Sequence, residues 1–254
     1  MKIGIMGAMA EEVSQLRHHM SKAKAETHGM REYVSGHILG KSVTVVFSRW
    51  GKVAASSTAT TLVEKYDVDC IVFSGVAGAL DPGLNIGDIV VASSLVQHDM
   101  DASVLPGIAK YEIPLLGVSR FKVDERYVSS ARRAAEAYLA EDLSGDVSDE
   151  ALKEFRISGP QVTTGIIASG DQFIADATIA QALRRQLPGL KCAEMEGAAV
   201  AQVAYEHSIP CIVLRTISDK ADHSAVIDFP RFVRTIACHF TCGSVLRLVE
   251  MLDN

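Results

Sequence analysis

Short apolar, β-branched runs alternate along this chain with longer segments whose apolar residues recur at spacings of three and four, and this alternation restricts the fold more than any other feature. The runs predict strands at Lys2–Met6, Ser42–Phe47, Cys70–Ser74, Asp88–Ala92, Val162–Ile167 and Cys211–Ile217. Tyr33–Ile38 is a plausible partner for Ser42–Phe47, with His37 to Lys41 as the turn region. Helical spacing covers Ala10–Met20, Lys52–Tyr66, Asp124–Ala140, Ala175–Gln186, Glu194–His207 and Phe229–Leu252. Such a pattern predicts an α/β fold, a parallel or mixed sheet with helices on both sides. Cys70–Ser74 and Cys211–Ile217 are almost continuously apolar and read as central strands. Each is expected to end at once in a turn, Gly75-Val76-Ala77-Gly78 and Ser218-Asp219. Ligands in open α/β sheets gather at the carboxyl ends of strands, so the search for a site starts there.

A length of 254 residues allows one or two domains. The most polar stretch, Glu141–Pro160, lies inside the alternating pattern and reads as a surface excursion, so a single domain over residues 1–254 is expected. Hydrophobic residues at 48% and charged residues at 22% supply a core and exclude disorder, collagen-like repeats and a small disulfide scaffold. With 25 Lys and Arg against 31 Asp and Glu, the chain has no basic footprint for nucleic acid or an anionic membrane. No run approaches the roughly 18 consecutive apolar residues of a membrane helix. Met1-Lys2 and the short apolar run that meets Glu11-Glu12 do not resemble a secretory signal. The five cysteines are odd in number and scattered, which suits reduced thiols used as small hydrophobes. A cytoplasmic protein without metal or cofactor is expected.

Five segments carry residues capable of chemistry, and each has a plainer reading beside it. Gly7-Ala8-Met9-Ala10-Glu11-Glu12 follows the first strand, where acids in a first helical turn also complement the helix dipole. Phe73-Ser74-Gly75-Val76-Ala77-Gly78 allows either close backbone approach of a ligand or a simple tight connection. In Ser169-Gly170-Asp171-Gln172-Phe173-Ile174, Phe173 either stacks on a planar ring or folds inward as a staple. Glu194 and Glu196, flanking Met195, either sit exposed at a helix start or accept hydrogen bonds from ligand hydroxyls. In Arg215–Asp222, Asp219 suits an N-cap or a turn. Arg215, within an apolar strand, demands a partner such as Glu194 or Asp219.

Taken together and in this order, these segments resemble the nucleoside phosphorylase and nucleosidase superfamily, and most of all its methylthioadenosine/S-adenosylhomocysteine nucleosidases. The resemblance runs from Lys2 to the C-terminal helix and is most specific at Ser169–Ile174, Glu194–Ala198 and Arg215–Asp222. It implies a purine nucleoside phosphorylase-like three-layer α/β/α domain with a central mixed sheet. It also implies hydrolysis of the N-glycosidic bond of methylthioadenosine and adenosylhomocysteine. Glu12 matches the acid that activates water, Asp219 the acid that protonates adenine at N7, and Ser218 the residue that helps hold it. Glu196 matches the carboxylate that binds the ribose hydroxyls, beside Met195 and with Glu194 nearby. Phe173 matches the adenine-stacking aromatic and Ile174 supplies backbone contacts, over a loop matching Ala77 and Gly78. Met9, Trp50 and Phe229 would surround the 5′-thioalkyl group. The family's homodimers imply that the region Ser103–Pro114 of a neighbour, with Val104, Leu105 and Pro114, closes that pocket.

The purine nucleoside phosphorylases of the superfamily are the alternative. Phosphorolysis needs a dianion site normally built from arginines and backbone amides. Here Glu11-Glu12 would repel phosphate, and Phe73 stands where phosphorylases resembling this fold carry an arginine. A non-catalytic nucleoside-binding protein fits less well, since Glu12, Glu196 and Asp219 are all present. Val76 and Gln172, with Gln97-His98-Asp99 and Glu196-Gly197, resemble the variant that also accepts 6-amino-6-deoxyfutalosine, whereas Trp50 is larger than the aliphatic residue often found in its place.

Overall fold

The computed structural model describes residues 1–220 and 225–252. Ala221 and Asp222, the end of the Arg215–Asp222 segment, lie outside them. In chain order the first elements are β1 (Lys2–Gly7), α1 (Ala10–His18), β2 (Ser21–His28), β3 (Arg31–Ile38), β4 (Lys41–Phe47), α2 (Lys52–Tyr66), β5 (Cys70–Ala79), β6 (Ile89–Gln97) and β7 (Phe121–Lys122). Next come α3 (Glu125–Ala137), a π-helical turn at Tyr138–Asp142, α4 (Leu143–Asp146), α5 (Asp149–Glu154), β8 (Val162–Ser169), α6 (Ala177–Gln186) and β9 (Leu190–Glu194). The chain closes with α7 (Gly197–Glu206), β10 (Cys211–Asp219), α8 (Ala225–Phe232), a second π-helical turn at Val233–Ala237, and α9 (Cys238–Met251).

The strands form one mixed sheet of ten, flanked by helices as expected. β1 lies parallel to both β4 and β5, and β3 and β2 extend the β4 side in antiparallel fashion. On its other side β5 runs parallel to β10, which pairs with β6, then β8, then β9. β9 returns to β5, so Gly78 pairs with Ala193 on one side and with Asp219 on the other. This half of the sheet therefore curls into a closed ring. The ring brings the ends of β5, β8, β9 and β10 together.

Side-chain alternation along the central strands divides the core. Ile5, Val72 and Leu214 face one cluster that includes Leu16 of α1, Ala131 of α3 and Val245 of α9. Their neighbours Met6, Phe73 and Val213 face the other, with Ala59 of α2 and Val200 of α7. The stretch Phe229–Met251 is long and apolar enough to cross a membrane by composition, but 72% of its apolar window is buried inside the fold. It reads as a core helix.

Two expectations need correction. Gly75-Val76-Ala77-Gly78 is no turn, because β5 continues through it to Ala79, and β10 likewise continues to Asp219. The helix expected from Glu194 starts at Gly197, because Leu190–Glu194 forms β9. Glu141–Pro160, read as a surface excursion, is mostly exposed and holds the short helices α4 and α5. β2 was silent in the sequence because its Ser-Lys-Ala-Lys-Ala-Glu-Thr-His run is almost wholly exposed at the sheet edge, where charge guards against further pairing.

Gly243 shows how closely α9 is seated. A Cβ there would come within 2.1 Å of the buried Tyr138 ring. Helix propensity alone would favour Ala over Gly by about 1 kcal/mol. Overpacking against an immobile ring costs about 1–3 kcal/mol. We therefore expect Gly243→Ala to lower the thermal unfolding midpoint by a few degrees. A raised midpoint would show that the contact yields.

Candidate active site

The carboxyl ends of β1, β5, β9 and β10 open into one cavity. Every residue expected to form a site lines it. The β1–α1 connection contributes Met9 and Glu12, the β4–α2 connection Trp50, and the end of β5 Ala77 and Gly78. Phe173 and Ile174 come from the segment after β8; Glu194, Met195 and Glu196 come from the end of β9 and the turn into α7. Ser218 and Asp219 end β10, and Phe229 lies in α8. Gly75, Val76, Ala193, Gln172 and Arg215 also line the cavity.

Glu12 occupies the third position of α1. It is buried while its neighbour Glu11 is exposed. Its Oε2 accepts the backbone N–H groups of Ala8 at 2.6 Å and Met9 at 2.9 Å, the reciprocal half of a helix-start box. One side chain thus sits in the first helical turn, where the dipole reading places an acid, and also lines the cavity. The opposite oxygen lies against Gly75, where a Cβ would come within 2.7 Å of it. A glycine within β5 lets a carboxylate approach the strand's backbone. Burial pushes the Glu12 carboxyl up to about 6, although Met9 N–H, the Arg215 charge and the Ala8 and Val76 N–H groups oppose that rise.

Glu194 and Arg215 form a buried ion pair. Arg215 donates from Nη2 at 2.7 Å and Nε at 3.2 Å to Glu194 Oε2, and from Nη1 to the carbonyls of Phe73 and Leu214. Its guanidinium carbon lies 4.2 Å from the centre of the Phe73 ring. The remaining capacity of Glu194 is filled by the N–H groups of Glu196 and Gly197 and by the Ser169 hydroxyl. Both of its oxygens are engaged by protein donors. Glu194 therefore holds the cavity wall instead of offering a free acceptor to a ligand. Burial opposes the charge of Arg215, but the charge and hydrogen bonds of Glu194 outweigh it and raise the guanidinium pKa.

Glu196 points into the same space with Oε1 accepting Gly51 N–H at 2.7 Å. Burial first, and then the adjacent Glu194 charge, raise its pKa well above the ordinary carboxylate range. Asp219 reaches the cavity through a break in the β5–β10 register, where Ile217 faces Ala77 but Asp219 faces Gly78. The extra residue at Ser218 cancels the strand's alternation, so consecutive Ser218 and Asp219 both line the site. The Ser218 hydroxyl donates to Asp219 Oδ2 at 2.7 Å. Opposite these acids stands an aromatic group. Phe229 meets Phe173 edge-on at 5.9 Å and Trp50 edge-on at 6.4 Å, and Phe173 remains 46% exposed, leaving ring surface for a flat ligand.

Among the described residues lining the cavity, Arg215 is the one cation, and its donors are engaged by Glu194 and two carbonyls. Buried acids and an aromatic wall around the cavity fit a near-neutral nucleoside better than an anion. Residues 2–250 match the family described as the phosphorylase superfamily. The chain belongs to that superfamily. Within the phosphorylase superfamily it sides with the hydrolytic nucleosidases. It is 35% identical over 254 residues to a 5′-methylthioadenosine/S-adenosylhomocysteine nucleosidase of Shewanella pealeana, covering 99% of this chain and 100% of the relative. The corresponding Neisseria meningitidis nucleosidase, solved in complex with methylthio-immucillin-A, superposes with a TM-score of 0.86 at 30% identity, covering 99% of both chains. A futalosine hydrolase of Helicobacter pylori superposes with a TM-score of 0.82 at 31% identity, covering 99% of this chain and 98% of that one.

The ion pair makes a direct prediction. Arg215→Met leaves the Glu194 carboxylate buried without its cation, which costs about 3–5 kcal/mol. At about 2–4 °C per kcal/mol for a chain of this size, thermal unfolding should fall by roughly 6–20 °C. A midpoint within about 2 °C of the parent would show that the pair does not organise the core.

Proposed function

We propose that this protein hydrolyses the N-glycosidic bond of 5′-methylthioadenosine and S-adenosylhomocysteine, releasing adenine and the 5-thio-substituted ribose. The observation that carries the reading is Glu12, a carboxyl raised to about 6 by burial and fixed by backbone donors at the cavity wall. Such a group is ionised at neutral pH yet basic enough to take a proton from water. A carboxylate in that place also disfavours phosphate as the attacking group. No step calls for a metal or cofactor.

The reaction follows from the neighbours. Asp219, steadied by Ser218, gives its proton to N7 of adenine as the bond from C1′ to N9 breaks and the ribosyl group becomes cation-like. Water bonds to C1′ while its proton passes to Glu12, an arrangement parallel to inverting glycoside hydrolysis. Glu196, beside Met195, accepts the ribose hydroxyls and favours the developing positive charge. Phe173 stacks on adenine, Ile174 offers its backbone to the base edge, and Ala77 and Gly78 line the wall beneath. Met9, Trp50 and Phe229 surround the 5′ substituent.

Two further assignments belong to the same reading. The protein works as a cytoplasmic homodimer in methionine salvage, each partner closing the other's 5′ pocket with Val104, Leu105 and Pro114. Exposure of Val104 at 90% and Leu105 at 53% supports a surface meant to be covered. Cleavage of 6-amino-6-deoxyfutalosine is a second activity, supported by the similarity to the Helicobacter pylori futalosine hydrolase.

Incubation with methylthioadenosine, with and without phosphate, tests the central claim. Free methylthioribose should form in both cases, and product formed only with phosphate would overturn hydrolysis. Asp219→Asn should remove most turnover while adenine binding persists; equal loss of both would make Asp219 structural. Because Glu12 must be ionised to act and its pKa is about 6, kcat/KM should fall about tenfold per pH unit below pH 6. Glu12→Gln should remove both the activity and that acid limb. An active Glu12→Gln variant would rule Glu12 out as the base.

A further inference from the structure

A ring of polar bonds just outside the cavity joins three segments that are far apart in sequence. Lys52 opens α2, and its backbone N–H donates to Asp171 Oδ1 at 2.8 Å. The Asp171 N–H in turn donates to Asp99 Oδ2 at 2.9 Å. Asp99 Oδ1 then accepts Lys52 Nζ at 2.6 Å, closing the circuit, and Gln97 Oε1 accepts the same ammonium at 3.3 Å. The Lys52 and Asp99 side chains are 17% and 23% exposed, so the pair is shielded from most solvent. The Lys52 ammonium and the Asp171 N–H hold the Asp99 carboxyl below the usual range against its burial.

The ring matters because of what lies next to each member. Trp50 and Gly51 immediately precede Lys52, and Gly51 N–H is the donor that reaches Glu196. Gly51 takes a left-handed φ of +89°, and a Cβ there would come within 3.0 Å of Asp171 Oδ1. Gln172, Phe173 and Ile174 immediately follow Asp171 and form another cavity wall. Behind them Gly170 lies so near the buried His98 ring that a Cβ would come within 2.4 Å of it. The segment bearing Trp50 and the segment bearing Phe173 are thus tied to one anchor at the end of β6.

We infer that Lys52 and Asp99 are positioning residues that preorganise the cavity. They hold Gly51 N–H on Glu196 and keep the Trp50 and Phe173 walls at a fixed separation before a ligand arrives. Neither residue lines the cavity. If the ring opens, only a fraction of molecules present a competent cavity, and apparent affinity falls by that fraction. The ligand restores the arrangement once bound, so the loss belongs to KM and to adenine affinity more than to kcat. This inference rests on the proposed nucleosidase reading for its kinetic arm only.

Asp99→Asn and Lys52→Met test it separately and together in the full-length protein. Each single variant should raise KM for methylthioadenosine about tenfold while kcat stays within about threefold. The double variant should be little worse than either single one, since the ring is already open. Lys52→Arg should recover part of the loss. Trp50 is the only tryptophan in the chain and sits on the tethered segment, so acrylamide quenching of its fluorescence reports on the ring without any turnover. Quenching should rise measurably in the free variants above that of Trp50 in the parent, where the ring is already 59% exposed, and return towards the parent value with saturating adenine. Unchanged KM and unchanged quenching, with or without a lower unfolding midpoint, would overturn the inference and leave the ring merely structural. A collapse of kcat at constant KM would overturn it too. If the parent protein fails to cleave methylthioadenosine, the nucleosidase reading fails, and the quenching of the free proteins still decides for or against the ring.

Discussion

The cavity depends on one buried guanidinium. Arg215 lies on the Phe73 ring, reaches the Phe73 carbonyl on β5, and pairs with Glu194 at the end of β9. Glu194 in turn gathers Ser169 from the end of β8 and the N–H groups of Glu196 and Gly197 at the start of α7. Four strands and a helix start are thereby fixed around one pair of charges. A buried ion pair adds little net stability compared with apolar packing, because both ions lose their hydration. Its value here is geometric: the bonds that satisfy it also decide where Glu196 stands.

Burial, opposed in part by the same guanidinium, sets the protonation of the acids around it. Burial disfavours the ionised form of both Glu12 and Glu196. Glu12 recovers much of that through N–H groups of Ala8, Met9 and Val76 and through the Arg215 charge. Glu196 has Gly51 N–H and Arg215 on its side but feels Glu194 and Glu12 against it. Two carboxylates of one cavity therefore hold their protons with different strength, the condition under which one serves as a base and the other grips neutral hydroxyls.

Much of this was legible in the sequence because it is local. The buried strands and the main helices carry their own periodicity, and the site residues sit directly after strand runs. Features whose cause lies far away in the chain were misread or left open. Gly75 signalled a turn, although its purpose is to clear space for the Glu12 carboxylate. Arg215 calls for a partner, Glu194 or Asp219, and only the fold selects Glu194, 21 residues before it. The slip at Ser218 depends on how β10 meets β5, which no residue of β10 announces. The ring through Lys52, Asp99 and Asp171 spans separations of 47 to 119 residues and leaves no local trace. β2 and β9 were invisible for a related reason: the one is polar at an edge, and the other spans only five residues.

These constraints also explain why a phosphorylase-like fold here favours water. Phosphate needs a cation with donors to spare, and the one cation among the described lining residues is engaged by Glu194 and backbone carbonyls. Freeing Arg215 for an anion would uncover Glu194, detach the start of α7 and misplace Glu196, so the change could not be confined to the attacking group. Meanwhile the ionised Glu12 that repels an anion favours a cation-like ribosyl group, because its charge is already in place when positive charge develops. An electrostatic surplus that would weaken the binding of phosphate strengthens the binding of the transition state. Hydrolysis is in this sense a consequence of how the core is held together, and nucleophile choice cannot be altered without rebuilding the ion pair beneath it.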